Sequence, residues 1–183
     1  MESPSAPPAE SPAVLVLMGV SGSGKTTVGT QLADALGWPF VDGDDFHPEA
    51  NVEKMASGQP LTDDDRWPWL RAIRDFIHER LERGEPALVA CSALKGAYRD
   101  VLLDGNDGAY IVHLSGSYNL IRERMEARTD HFFDAEMLQS QFDALEVPDA
   151  EDVLTVSIDQ PPRAIVQEIQ ERCAALHGPP SEE

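Results

Sequence analysis

An eight-residue run, Gly19-Val20-Ser21-Gly22-Ser23-Gly24-Lys25-Thr26, constrains this chain more than any other stretch. It satisfies the pattern GxxxxGK[ST] at every fixed position, and its surroundings are those the pattern needs. The apolar run Val14-Leu15-Val16-Leu17-Met18 before it reads as a buried strand. The stretch from Thr27 to Leu36 after it reads as a helix. In a strand–loop–helix unit of this kind, glycines let the backbone wrap an anion, and successive N–H groups at the helix N-terminus point at phosphate oxygens. The run therefore predicts a nucleoside triphosphate site. Gly19, Ser21, Gly22, Ser23, Gly24, Lys25, Thr26 and Thr27 make its cradle. Lys25 is expected to reach the outer phosphates, and the Thr26 hydroxyl to bind Mg²⁺.

The remaining strands and helices alternate, which implies an α/β fold with a parallel sheet covered on both faces. Strands are predicted at 14–18, 39–42, 87–91, 110–114 and 153–158. Helices are predicted near 25–36, 48–57, 64–83, 95–103, 118–127, 134–145 and 161–176, with Thr62 and Asp65 forming a capping box. The 183 residues suit a single domain, over 13–177. The Pro/Ser-rich start, residues 1–12, and the end, 178–183, read as disordered tails. The start has neither the basic opening nor the apolar core of a signal peptide. No apolar run approaches the ~20 residues of a membrane helix. Two cysteines, Cys91 and Cys173, give no disulfide framework and no metal spacing. A soluble cytoplasmic protein with no membrane partner is the expectation.

The 33 acidic residues outnumber the 14 Lys and Arg, for a net charge of −19. This argues against nucleic acid as a partner, because a backbone binder needs basic surface. Only three of those bases are lysines, Lys25, Lys54 and Lys95. A lysine retained against that bias suggests a need for a compact, mobile charge rather than a planar fork.

Ligands in such a sheet collect at the carboxyl ends of the strands, so the polar residues just after each strand are the site candidates. Asp42-Gly43-Asp44-Asp45-Phe46-His47 follows the second strand. Asp42 is expected to hold a Mg²⁺-bound water. Asp44, on the same face of an extended chain, is expected to accept a hydroxyl proton. His47 is equally a cap, a packing residue or a substrate contact. Lys54 lies in an insertion too long for a plain crossover, a flap over about 46–83. Arg66 offers a fork for a carboxylate, whereas Trp67 and Trp69 read as packing. Lys95 and Arg99, spaced i,i+4, are expected to share a helix face and serve an anionic substrate. Arg122, Arg124 and Arg128 crowd one helix and its end, followed by His131. Two of these arginines suit charge neutralisation over a transferring phosphoryl group; Arg122 reads as the partner of nearby glutamates.

Taken together these segments resemble the gluconate kinase family. The resemblance rests on VLMGVSGSGKTT, DGDDFHP, NVEKMASGQPLTDDDRWPWL, ACSALKGAYRDVL, ARTDHFF, QFDALE and VSIDQPP, covering about residues 14–170. It implies a P-loop, three-layer α/β/α fold like that of the nucleoside-monophosphate kinases, with five parallel strands, a helical flap and a lid over about 122–145. It implies ATP-dependent phosphorylation of D-gluconate to 6-phospho-D-gluconate, feeding sugar-acid catabolism and the pentose phosphate pathway, and a homodimer. By the same resemblance, Arg124, Arg128 and Gln160 belong to the nucleotide side. Asp44, His47, Lys54, Arg66, Lys95, Arg99 and His131 then surround the sugar acid, with Lys25, Asp44 and Arg124 catalytic. The rival readings are a kinase for another small acid such as shikimate, and a nucleotide switch or GTPase. The switch lacks an NKxD-type guanine-reading segment here.

Overall fold

The computed structural model describes residues 14–128, 134–149 and 153–176. Both predicted tails and His131 lie outside them. Five strands, β1 (Val14–Met18), β2 (Phe40–Asp42), β3 (Ala87–Ala90), β4 (Ala109–Ser115) and β5 (Leu154–Ser157), pair in parallel in the order β2-β3-β1-β4-β5. Seven α-helices connect them among the described residues: α1 (Lys25–Leu36), α2 (Glu49–Ala56), α3 (Asp63–Glu82), α4 (Gly96–Leu103), α5 (Tyr118–Ala127), α6 (Ala135–Ala144) and α7 (Pro162–Leu176). This is the expected α/β architecture, with boundaries displaced by only one or two residues.

The period-two alternation of β1 divides the interior in two. Leu15 and Leu17 face a core shared with Val28 and Leu32 of α1, Ile121 of α5, Leu138 of α6 and Ile165 of α7. Val14, Val16 and Met18 face the other core, with Leu70, Ile73 and Ile77 of α3 and Leu102 of α4. Every residue of β1 is buried, as a central strand covered on both faces must be. The predicted capping box opens α3: Asp65 N donates to Thr62 Oγ1, and Thr62 N donates to the Asp65 carboxylate.

β1 lies between β3 and β4, and the chain leaves it toward β2, beyond β3. The strand order therefore diverges on either side of β1, and the crevice at its carboxyl end is the natural ligand position. The phosphate loop starts there, at Gly19. One local expectation fails nearby. Asp42 and Asp44 do not share a face of an extended chain. Gly43–Phe46 forms a 3-10 turn, capped by Asp42 Oδ1 accepting from Asp44 N at 2.9 Å. An aspartate that can bond the backbone two residues on favours this turn over continued strand. Gly43 is required in it, since a Cβ there would lie 2.4 Å from Ala90 O.

Candidate active site

A cleft of about 920 Å³ opens along the carboxyl edge of the sheet. Its floor is the phosphate loop, with Ser21, Gly22, Gly24, Lys25, Thr26 and Thr27 on its surface. Gly24 holds a left-handed backbone, φ +97°, where the loop enters α1, a conformation that favours glycine. Lys25 Nζ donates to Gly19 O at 2.8 Å and Val20 O at 3.1 Å, so the ammonium sits inside the loop's own curve. Enclosure pushes its pKa below the ordinary value, while Asp44 and Asp42 work against that shift. Ser23 is buried beneath the loop, its N–H donating to Val20 O at 3.2 Å. Unlike Ser21 and Thr26, it is not on the cleft surface. Cys91 also borders the cleft, but burial pushes its thiol up to about 12, which keeps it a neutral, unreactive wall.

The Asp42–His47 turn forms the next wall. Asp44 is 80% exposed to the cleft. The protein mass around it and the Asp42 carboxylate still push its pKa above the ordinary carboxylate range, with His47 and Lys25 pulling the other way. His47 lies flat on Trp69, ring centroids 4.2 Å apart at 14°. Trp69 Nε1 donates to Gly43 O at 2.8 Å and so pins the turn. Trp69 packs, as expected, but its platform serves His47. Asn51, a buried residue not singled out from sequence, fixes the imidazole. Its Nδ2 donates to Asp65 O at 2.9 Å, and a carbonyl can only accept, so the NH₂ end of the amide is identified. The same Nδ2 lies 3.3 Å from His47 Nδ1, which therefore accepts. The proton then resides on Nε2, 3.9 Å from Asp44 Oδ1. Burial and Arg66 hold the His47 pKa below its ordinary value, against the pull of Asp44. The ring is neutral near pH 7.

The far wall comes from α3. Arg66 borders the cleft, its Nη1 at 3.3 Å from the Tyr98 hydroxyl and 3.6 Å from Asp63 Oδ1. Asp63 also accepts from the Tyr98 hydroxyl and from Lys95 Nζ, the latter at 3.1 Å. Those two hydrogen bonds hold its carboxyl below the usual range. Lys95 is thereby a support behind Arg66, with its charge matched by Asp63. Lys54 takes a similar place: its Nζ lies 2.6 Å from Asp65 Oδ2, joining α2 to α3. Neither of these lysines is part of the cleft surface.

Arg99 departs furthest from expectation. It is buried, with Nη1 donating to Ala93 O at 2.9 Å and Leu94 O at 3.2 Å, and Nη2 donating to Glu146 O at 2.9 Å. The i,i+4 argument fails because α4 begins at Gly96. Lys95 is its N-cap, in extended conformation at φ −103°, ψ 147°, so the two side chains do not project from one helical face. Arg99 holds backbone carbonyls and has no free fork for a substrate.

Beyond β5, Arg124 Nη2 donates to Ile158 O at 2.6 Å, and Gln160 Nε2 donates to Ser157 O at 2.9 Å. Both residues thus gather at the β5–α7 loop. Arg128, at the end of α5, faces the cleft directly. Arg122 pairs with Glu126 at 2.8 Å, as its reading anticipated. Asp42, Asp44 and Thr26 give the cleft an all-oxygen donor set. No three His, Cys, Asp or Glu side chains converge as a metal cage among the described residues. That pairing suits Mg²⁺, which is commonly held by one or two carboxylates together with phosphates and water.

Comparison with known proteins identifies the family to which this arrangement belongs. Residues 14–148 match the family described as AAA domain. The thermoresistant gluconokinase of Escherichia coli (strain K12) is 48% identical over 155 residues, which span 84% of this chain and 89% of that protein. The chain belongs to the gluconokinase family. A crystal structure of a gluconokinase from Sinorhizobium meliloti 1021 superposes with a TM-score of 0.81 at 48% identity, over 90% of this chain and 93% of that one. Shikimate kinase from Acinetobacter baumannii, in complex with shikimate, superposes with a TM-score of 0.59 at 21% identity, over 93% of this chain and 97% of that one. This second likeness shows a shared fold alone.

Proposed function

We propose that this protein transfers the γ-phosphoryl group of ATP to the 6-hydroxyl of D-gluconate, giving 6-phospho-D-gluconate. The observation that carries the reading is the composition of the cleft. One wall is an anion cradle with Lys25, another carries the carboxylate of Asp44, and a third presents the Arg66 guanidinium. An acceptor with a hydroxyl at one end and a carboxylate at the other matches Asp44 and Arg66 in turn.

In this mechanism Asp44 orients the hydroxyl and takes its proton as the oxygen attacks phosphorus. Its raised pKa makes it a better base than an ordinary aspartate. The Nε2 of His47 lies 3.9 Å from Asp44 Oδ1. Lys25 leaves its loop carbonyls for the phosphates and offsets the charge on the transferring group, helped by Arg128 across the cleft. Arg66 grips the carboxylate, with Asp63 and Tyr98 setting its orientation and Lys95 supporting Asp63. Thr26 and Asp42 would hold Mg²⁺, which would supply positive charge to offset that of the phosphates. Arg124 and Gln160 act through the β5–α7 loop on the base side of the nucleotide. The proposal extends, on family resemblance alone, to a homodimer working in the cytoplasm.

The test is an assay with ATP, Mg²⁺ and D-gluconate that reads 6-phosphogluconate directly, with shikimate and water as parallel acceptors. Turnover confined to gluconate is expected. Faster turnover of shikimate would overturn the substrate assignment.

A further inference from the structure

The segment Gln141–Glu146 stands out in the sequence, yet the proposed reaction does not use it. In the structure both of its ends are tied down. Gln141, on α6, grips Ser21 of the phosphate loop at two points. Its Oε1 accepts from Ser21 N at 2.6 Å, and its Nε2 donates to Ser21 Oγ at 2.8 Å. Glu146, just past α6, grips the β3–α4 loop. Its carboxylate accepts from Gly96 N at 2.7 Å and its N–H donates to Leu94 O at 2.8 Å.

The two ties differ in kind. The Glu146 end is locked by Arg99, a buried residue that also holds two other carbonyls. The Gln141 end borders the cleft, whose surface both Gln141 and Ser21, half-buried, help to line. A backbone amide carries one hydrogen. At 2.6 Å the Ser21 hydrogen is committed to a carboxamide oxygen, so a phosphate oxygen cannot take it at good geometry without displacing Gln141.

We propose that Gln141 is a positioning residue that latches α6 to the phosphate loop and competes with nucleotide phosphate for the Ser21 amide. Loading of a phosphate-bearing nucleotide releases the Gln141 end of α6, while the Glu146 end stays fixed and acts as the pivot. Occupancy of the loop is thereby transmitted to the wall that carries Asp134, Glu136 and Met137. The proposal rests on the assignment of residues 19–26 as the nucleotide site.

The experiment titrates the full chain with ATP and, separately, with adenosine, which has no phosphate. Wild type is compared with Gln141→Met, which keeps length and helix propensity but lacks the acceptor, and with Gln141→Glu. For Gln141→Met the dissociation constant for ATP should fall about fivefold, the worth of one net hydrogen bond, with adenosine unchanged. For Gln141→Glu it should rise several-fold, because a carboxylate repels phosphate, and added salt should narrow that gap. A purely structural role would weaken ATP in both variants, and that result would overturn the proposal, as would no change in Gln141→Met. Independently of either variant, the Gln141 side-chain amide resonance of ¹⁵N-labelled wild type should move on addition of ATP and not of adenosine; an unmoved resonance contradicts the latch. If wild type bound ATP no better than adenosine, the loop assignment itself would fall, and the latch with it. If wild-type discrimination holds and only the Gln141→Met gain is missing, the latch alone is wrong.

Discussion

The donor and acceptor walls of the cleft are built by different means. The donor wall is mainly backbone: a glycine-bearing loop whose N–H groups and helix N-terminus lie within eight consecutive residues. The acceptor wall is side chain. Asp44, His47, Asn51, Asp63, Arg66 and Tyr98 are drawn from a 3-10 turn and three helices and held together by hydrogen bonds and ion pairs. A backbone site depends mainly on local conformation. A side-chain site depends on a network in which each member sets the orientation of the next. The donor wall should therefore fail through the loss of a single charge, whereas the acceptor wall should be tunable.

The comparison breaks most severely at Lys25. Lys25→Met should lower kcat by about 10³-fold or more while the fold persists, because the loop backbone remains; single-turnover kinetics with circular dichroism would check both. On the acceptor wall, Asp44→Asn should lower kcat by about 10²–10⁴-fold, the usual range for a general base. With wild-type enzyme, the pH profile sharpens this point. The Asp44 pKa lies above its ordinary 3.8, so the active, deprotonated form is lost as pH falls through a value higher than that of a free aspartate. The acid limb of kcat/KM should lie above that of a free aspartate and be absent from the residual activity of Asp44→Asn.

The smallest effect concerns the support behind the acceptor wall. Hydrogen bonds from Lys54 and then Thr62 depress Asp65 from 3.8 to about 2. A carboxylate with a depressed folded-state pKa contributes stability above its unfolded pKa and loses it as pH falls through the folded value. Lys54→Met should therefore lower Tm by a few degrees at neutral pH, and the gap to wild type should shrink between about pH 4 and pH 2. A gap independent of pH would mean that Lys54 acts by packing.

The same contrast explains what was legible in the sequence. The donor wall was legible because its parts are contiguous, and the strands and helices followed from apolar runs and caps. The acceptor wall was legible in its residue types but not in their partners. The sequence offers Arg66 as a fork, whereas its partners Tyr98 and Asp63 are reached only through the packing of α3 against α4. Arg99 was misplaced because α4 begins one residue later than the spacing argument needs. Asn51 left one faint signal, a poor helix former inside α2. Gln141 left none in its spacing, since its partner lies 120 residues away.

The central claim is that the acceptor wall reads a carboxylate through Arg66, separately from the nucleotide. The direct measurement is a steady-state analysis of Arg66→Ala with both substrates varied. The KM for D-gluconate should rise about tenfold or more, with the KM for ATP within twofold of wild type. An unchanged KM for gluconate, or an equal rise in both constants, would contradict the account.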